Sequence, residues 1–184
     1  MTSTPPSFAI GMDIGMSGSI SFLPRNGTPI FVDMPYDGKH LVLRKAIDAI
    51  LCYWPTIDIE CVPPIAFESL CSFKQGRQSA FNFGGSYHCA WNVANLLGLP
   101  ACEVRPGEWK DVILPGLPHD GDEGKAAAIA YVSHRWPHAE LIRPGCRVED
   151  HNRADAACLA EYALRTWGQP HKPVKPKAKG RKKK

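Results

Sequence analysis

Long hydrophobic runs are missing from this chain: nowhere in its 184 residues does an apolar segment approach the roughly 20 residues that a membrane-spanning helix needs. A membrane partner is therefore not expected. The opening Met1-Thr-Ser-Thr-Pro-Pro-Ser7 lacks the basic start and apolar core of a secretory leader, which predicts a cytoplasmic location. The seven cysteines (Cys52, Cys61, Cys71, Cys89, Cys102, Cys146 and Cys158) are odd in number and include no CxxC pair. That spacing supports neither a structural zinc site nor a disulfide framework, and predicts reduced, mostly buried thiols. There is no internal repeat. What remains is ordinary for one globular domain, with 44% hydrophobic and 22% charged residues in a chain too short for two full cores.

Net charge is modest, at +4, but it is unevenly placed. Lys172 to Lys184 is a basic, proline-bearing stretch with almost no apolar residues, so a folded domain over 1–168 and a disordered basic tail over 169–184 are expected. A flexible polycation gains affinity for nucleic acid by releasing counterions, without reading sequence. The plainer alternative is a solubilising tail. Without it the folded body is close to neutral or acidic, so any DNA surface there must be local.

Residues 8–14 and 19–23 read as strands separated by the turn Gly15 to Gly18, and Arg25-Asn26-Gly27 as a turn into a third strand over 29–34. Apolar spacing predicts helices over 41–54, in part of 79–97, over 125–136 and over 154–167. Residues 65–69, 101–104 and 139–142 read as further short strands. Hairpin strands followed by alternating helices and strands predict a mixed α/β sheet.

Within this pattern three acidic residues stand out. Asp13 lies in the apolar run Phe8 to Gly15, Glu68 ends the apolar run Pro64 to Glu68, and Asp155 opens the last helical stretch. A carboxylate in an apolar strand is costly to bury unless it is paired or holds a metal. Adjacent strands would set Glu68 beside Asp13, and a divalent cation would relieve their repulsion. His151 and Asn152 share a helix face with Asp155. Oxygen ligands of this kind suit Mg²⁺, and a histidine among them suits Mn²⁺ as well. Each position also has a bland reading: a turn cap at Asp13, a solvated strand end at Glu68, a helix-dipole partner at Asp155. After Glu68, the cations Lys74 and Arg77, with Gln75 and Gln78, are interleaved with Phe73, Phe81, Phe83 and Tyr87. Basic groups there could hold phosphates and an exposed ring could stack on an unpaired base. Phe81, Phe83 and Tyr87 are expected instead to pack in the core or at an interface.

Taken together, Ile10 to Gly15, Ala66-Phe67-Glu68, Arg77 to Tyr87, Val104 to Lys110, Lys125 and Arg153 to Ala156 resemble the RuvC-type Holliday junction resolvases, on their phage and RuvC-like branch. The resemblance spans about residues 8–167. It implies an RNase H-like fold, a mixed five-stranded sheet flanked by helices, acting as a homodimer on DNA in a bacterial or phage-infected cell. It implies paired, metal-dependent nicks in four-way junctions, with two Mg²⁺ ions per active site, Mn²⁺ able to substitute, and 5′-phosphate products that a ligase can seal, as in recombination and repair. Asp13, Glu68 and Asp155 would be ligands, and Lys125 would join them in catalysis. Lys110 and Lys125 match positions that contact the phosphate near the cut, and Phe73 is the candidate wedge at the junction centre. The family usually has a fourth ligand three or four residues before the last Asp; here Asn152 and His151 stand there, so His151 is the first choice and Asp150 the second.

Three rivals remain at this point. One is a broader branched-DNA or flap nuclease. Another is a non-catalytic junction-binding protein. A third, an actin-like ATP-binding protein suggested by Asp13-Ile14-Gly15, needs a second phosphate loop and a chain about twice as long, and neither is present.

Overall fold

A computed structural model describes residues 5–38, 40–54, 62–69 and 77–169, with side chains from residue 80 onward in the last span. In chain order the elements are β1 (Phe8–Asp13), β2 (Ser19–Pro24), β3 (Ile30–Asp33), β4 (Tyr36–Asp37), β5 (His40–Leu41), α1 (Leu43–Tyr53), β6 (Ile65–Glu68), α2 (Arg77–Leu97), β7 (Ala101–Val104), α3 (Pro106–Ile113), α4 (Gly121–Arg135) and α5 (His151–Thr166). Five strands form one mixed sheet in the order β3-β2-β1-β6-β7. The first three make an antiparallel meander, whereas β6 and β7 run parallel to β1. The expected mixed five-stranded sheet flanked by helices is what is found.

Strand alternation decides what each face does. On β1 and β6 the bulky Phe8, Ile10, Met12, Ile65 and Phe67 point to one side and pack with α1 and α2 around Ala46, Ile50, Ala90 and Val93. The small Ala9, Gly11 and Ala66 point to the other side, where α5 lies. A Cβ added at Gly11 would stand 1.9 Å from the Ala156 carbonyl oxygen, so the helix backbone rests directly on the strand. The buried alanines 154, 156, 157, 160 and 163 make α5 narrow enough for that approach. Asp13 and Glu68 continue the small-residue face, which turns both carboxylates toward α5.

Several sequence expectations are corrected. Residues 139–142 are not a sheet strand, and only an isolated bridge joins Ile142 to Glu149. Their carbonyls are taken up locally: Arg153 Nη1 donates to Glu140 O at 2.7 Å and to Ile142 O at 3.3 Å, and Asp150 N donates to Leu141 O at 2.9 Å. Leu141 still plugs the core. Helix α3 was not expected; Pro106 in its first turn pre-sets the helical φ and carries no N–H to leave unpaired. Helix α2 is continuous through Gly84 and Gly85. Helix α5 starts at His151, so Asp155 sits in its second turn rather than opening it. Of the described cysteines only Cys102 and Cys158 are buried, while Cys52 and Cys146 are exposed; no disulfide joins any of the five. Phe81 is 78% exposed, unlike Phe83 and Tyr87, which pack on the core. Among the described residues no helix is long and apolar enough to cross a membrane.

Candidate active site

Parallel pairing brings the first two carboxylates level. Ile10 stands opposite Ile65, Gly11 opposite Ala66 and Met12 opposite Phe67, so the next pair along is Asp13 and Glu68. The seating of α5 on Gly11 then delivers Asp155 from above. All three line one cleft of about 310 Å³, together with Lys110, Lys125, His119 and His151.

The electrostatics are those of crowded, sheltered acids. Burial pushes the Asp13 carboxyl up to about 6; Glu68 and Asp150 add to the rise, against a 3.1 Å hydrogen bond from Gly15 N. Asp155 is pushed up to about 7, first by burial, then by Asp13 and Glu68, with Lys110 pulling the other way. Burial also raises Glu68, offset by Trp109 and Lys110. The indole Nε1 of buried Trp109 donates to Glu68 Oε1 at 2.8 Å and fixes that carboxylate. Lys110 lies over the Trp109 ring at 5.3 Å and donates to His119 O at 2.6 Å. Lys125, exposed on α4, forms a surface pair with Asp122 at 3.3 Å.

The two candidates for a fourth ligand part company here. His151 lines the cleft, and its pKa is lowered by burial and then by Lys125. Asp150 is the cap of α5: one oxygen accepts from Asn152 N at 2.8 Å and the other pairs with Arg143 Nε. Arg143 also reaches Asp33 at 3.2 Å and the carbonyl of Gly18 at 3.1 Å, and Asn152 donates to Ser17 O at 2.9 Å. Buried Arg153 joins the same network through Asp33 at 2.9 Å. This lattice locks the turn after Asp13 to the start of α5 and sets the spacing of the two aspartates.

Phe73 and Lys74 lie outside the described residues, as does the side chain of Arg77, whose backbone opens α2. His119, the Trp109 bond to Glu68 and the Arg143 network were not foreseen. Trp109 sits inside a segment already singled out, but nothing in the sequence marks Arg143.

As a donor set, Asp13, Glu68 and Asp155 offer hard oxygen ligands to a divalent cation, which would also offset their mutual repulsion. They face a common cleft without converging on one point: among the described residues no three His, Cys, Asp or Glu side chains form a closed ligand cluster.

The sequence matches no protein-family model and no curated protein. Solved structures do match. One is RuvC of T. thermophilus in complex with a Holliday junction substrate, at 16% identity and a TM-score of 0.60, over 85% of this chain and 92% of that one. Another is a Thermus thermophilus RuvC structure, at 15% identity and a TM-score of 0.52, over 86% and 95%. The chain has the RuvC fold of the RNase H-like class, and the resemblance read from its sequence holds at that level.

Proposed function

We propose that this chain is a metal-dependent, structure-selective DNA endonuclease that resolves four-way junctions by paired nicks leaving 5′-phosphates. The observation that carries the reading is the arrival of Asp13, Glu68 and Asp155, from β1, β6 and α5, in one cleft edged by Lys110 and Lys125. A protein that merely bound DNA would gain nothing from sheltered acids there, since they repel phosphate.

Asp13, Glu68, Asp155 and His151 would hold the metal, with two Mg²⁺ ions or Mn²⁺ in their place. Bound there, the cation would supply a water activated for attack and charge stabilisation at the leaving oxygen. Trp109 keeps Glu68 in one orientation. Lys110 and Lys125 supply positive charge at the rim, where a phosphodiester accumulates negative charge during hydrolysis. The burial of Asp13 and Asp155 limits water and strengthens every charge interaction in the cleft. A homodimer, as the resemblance implies, would offer one such cleft to each of two opposed strands.

The test is a gel assay with labelled four-way junction, linear duplex and flap, each with Mg²⁺, Mn²⁺ or EDTA. Paired, metal-dependent nicks on opposed junction strands with duplex untouched are expected. Asp13→Asn should abolish nicking while junction binding stays within a few-fold. Equal cutting of flaps would broaden the substrate to branched DNA, and binding with no cutting in any metal would defeat the nuclease reading.

A further inference from the structure

We infer that the domain carries a second phosphate-binding site, at the end of the sheet away from the carboxylate cleft, built from Arg25, Arg135 and Arg165. Its position follows from the register. Pro24 pairs with Phe8, at the start of β1, whereas Ser19 pairs with Asp13 at its finish. Arg25 therefore lies at the far edge, as do the last residues of α4 and α5. Asp155 and Arg165 are ten residues apart on one helix, about 15 Å at ~1.5 Å per residue.

There the three guanidinium groups, Trp136 and Glu161 line a pocket of about 200 Å³. Glu161 is buried and already satisfied: Tyr131 donates to it at 2.7 Å, and Arg165 through Nη2 at 2.6 Å and Nε at 3.1 Å. Arg135 is further off, with its Nε 3.8 Å from the same carboxylate and its guanidinium 5.5 Å from the centroid of the Trp136 ring. Arg25 uses its Nε on the Pro6 carbonyl at 2.9 Å. Among the described residues the terminal nitrogens of Arg25 and Arg135 have no hydrogen-bond acceptor. Three cations thus face one carboxylate, and two planar forks of donors remain free. A guanidinium fork matches the oxygens of a phosphate in shape as well as charge. The Glu161 pairing explains Arg165; it gives no reason for Arg25.

Nucleic-acid backbone is the phosphate source we assign, and that part rests on the nuclease reading above. The described chain ends at Gln169, four residues past Arg165, and the sequence beyond it holds seven lysines and one arginine from 172 to 184. The pocket itself lies within about five base pairs of the cleft at ~3.4 Å rise.

The experiment compares full-length wild type with the double variant Arg25→Gln, Arg135→Gln. Arg165 and Glu161 stay in place because they tie α4 to α5. Dissociation constants for a four-way junction are measured without divalent cation across a salt series, and pyrophosphate binding is followed separately by calorimetry. The double variant should bind the junction about ten-fold more weakly, with the slope of log K against log salt reduced by about two, one per lost phosphate contact. With Mg²⁺ restored and junction saturating, it should nick at the wild-type rate. If DNA binding is unchanged but wild type binds pyrophosphate and the variant does not, the site takes a free phosphate compound, and the backbone assignment is overturned. Unchanged DNA binding with no pyrophosphate binding to wild type overturns the site altogether. Wild type that binds no branched DNA sinks the nuclease reading, and the pyrophosphate arm still decides the pocket.

Discussion

Among the described residues Asp155 accepts no hydrogen bond, and its carboxyl is held up at about 7. The sign of the stability effect follows. An unfolded Asp near 3.8 releases its proton earlier than the folded one, so the folded state loses stability as pH rises from about 4 through about 7. In EDTA the melting temperature of wild type should therefore fall between pH 5.5 and pH 8. Asp155→Asn should remove part of that fall, raising Tm at pH 8 by roughly 3–8 °C while abolishing nicking. A thermal melt in EDTA checks the first half, and a mutant less stable than wild type at pH 8 would contradict it. Trp109 gives a second prediction at this scale. Trp109→Phe keeps most of the buried ring and loses the N–H that fixes Glu68. Losing such a supporting bond should raise the Mn²⁺ concentration for half-maximal nicking about ten-fold, with the saturated rate largely kept. A metal titration of the nicking rate reads this directly. Asp13 and Glu68 were legible in the sequence because an acid in an apolar run is conspicuous. The Trp109 bond was not, since nothing in a linear chain says which way an indole N–H points.

The helix-on-strand contact at Gly11 sets the site's dimensions. Gly11→Ala would drive a methyl group into the Ala156 carbonyl, so α5 must lift or tilt, carrying Asp155 with it. A loss of about 3 kcal/mol or more in a denaturant melt is expected, together with loss of nicking. The network beneath α5 offers a milder probe. Asp33 bridges Arg143 and Arg153, and Asp33→Asn should cost about 1–3 kcal/mol and speed amide exchange across 142–150. At this scale the sequence misled where short segments serve tertiary needs. Residues 139–142 alternate like a strand, with Ala139 and Leu141 turned to the core, yet Arg153 and Asp150 occupy their backbone groups and no sheet strand forms. Phe81 stands exposed where packing was expected, because it falls on the outer side of α2 while Phe83 and Tyr87 meet the core. Helix α3 was hidden by its own Pro-Gly opening, which reads as a loop until the proline is placed in the first turn.

Over the whole molecule, the mixed sheet was legible because β1 and β6 are short, almost continuously apolar runs and Gly-bearing turns stand on either side of β2. The clamp between the turn after Asp13 and the start of α5 was not, because its partners lie more than a hundred residues apart. A prediction for the entire chain concerns its basic end. Removing residues 172–184 should weaken binding to junction, duplex and flap alike, with a shallower salt dependence and no change in the saturated nicking rate. A fall in that rate would mean the tail takes part in catalysis. The order of the three acids along the polypeptide has a consequence for synthesis. Asp13 is made early, Glu68 midway, and Asp155 only when most of the domain has left the ribosome. A stalled or truncated product lacks the last acid and also the helix that closes the core. On the proposed nuclease reading, cutting power, and its danger to the cell's own chromosome, would thus be withheld until translation of the domain is nearly complete.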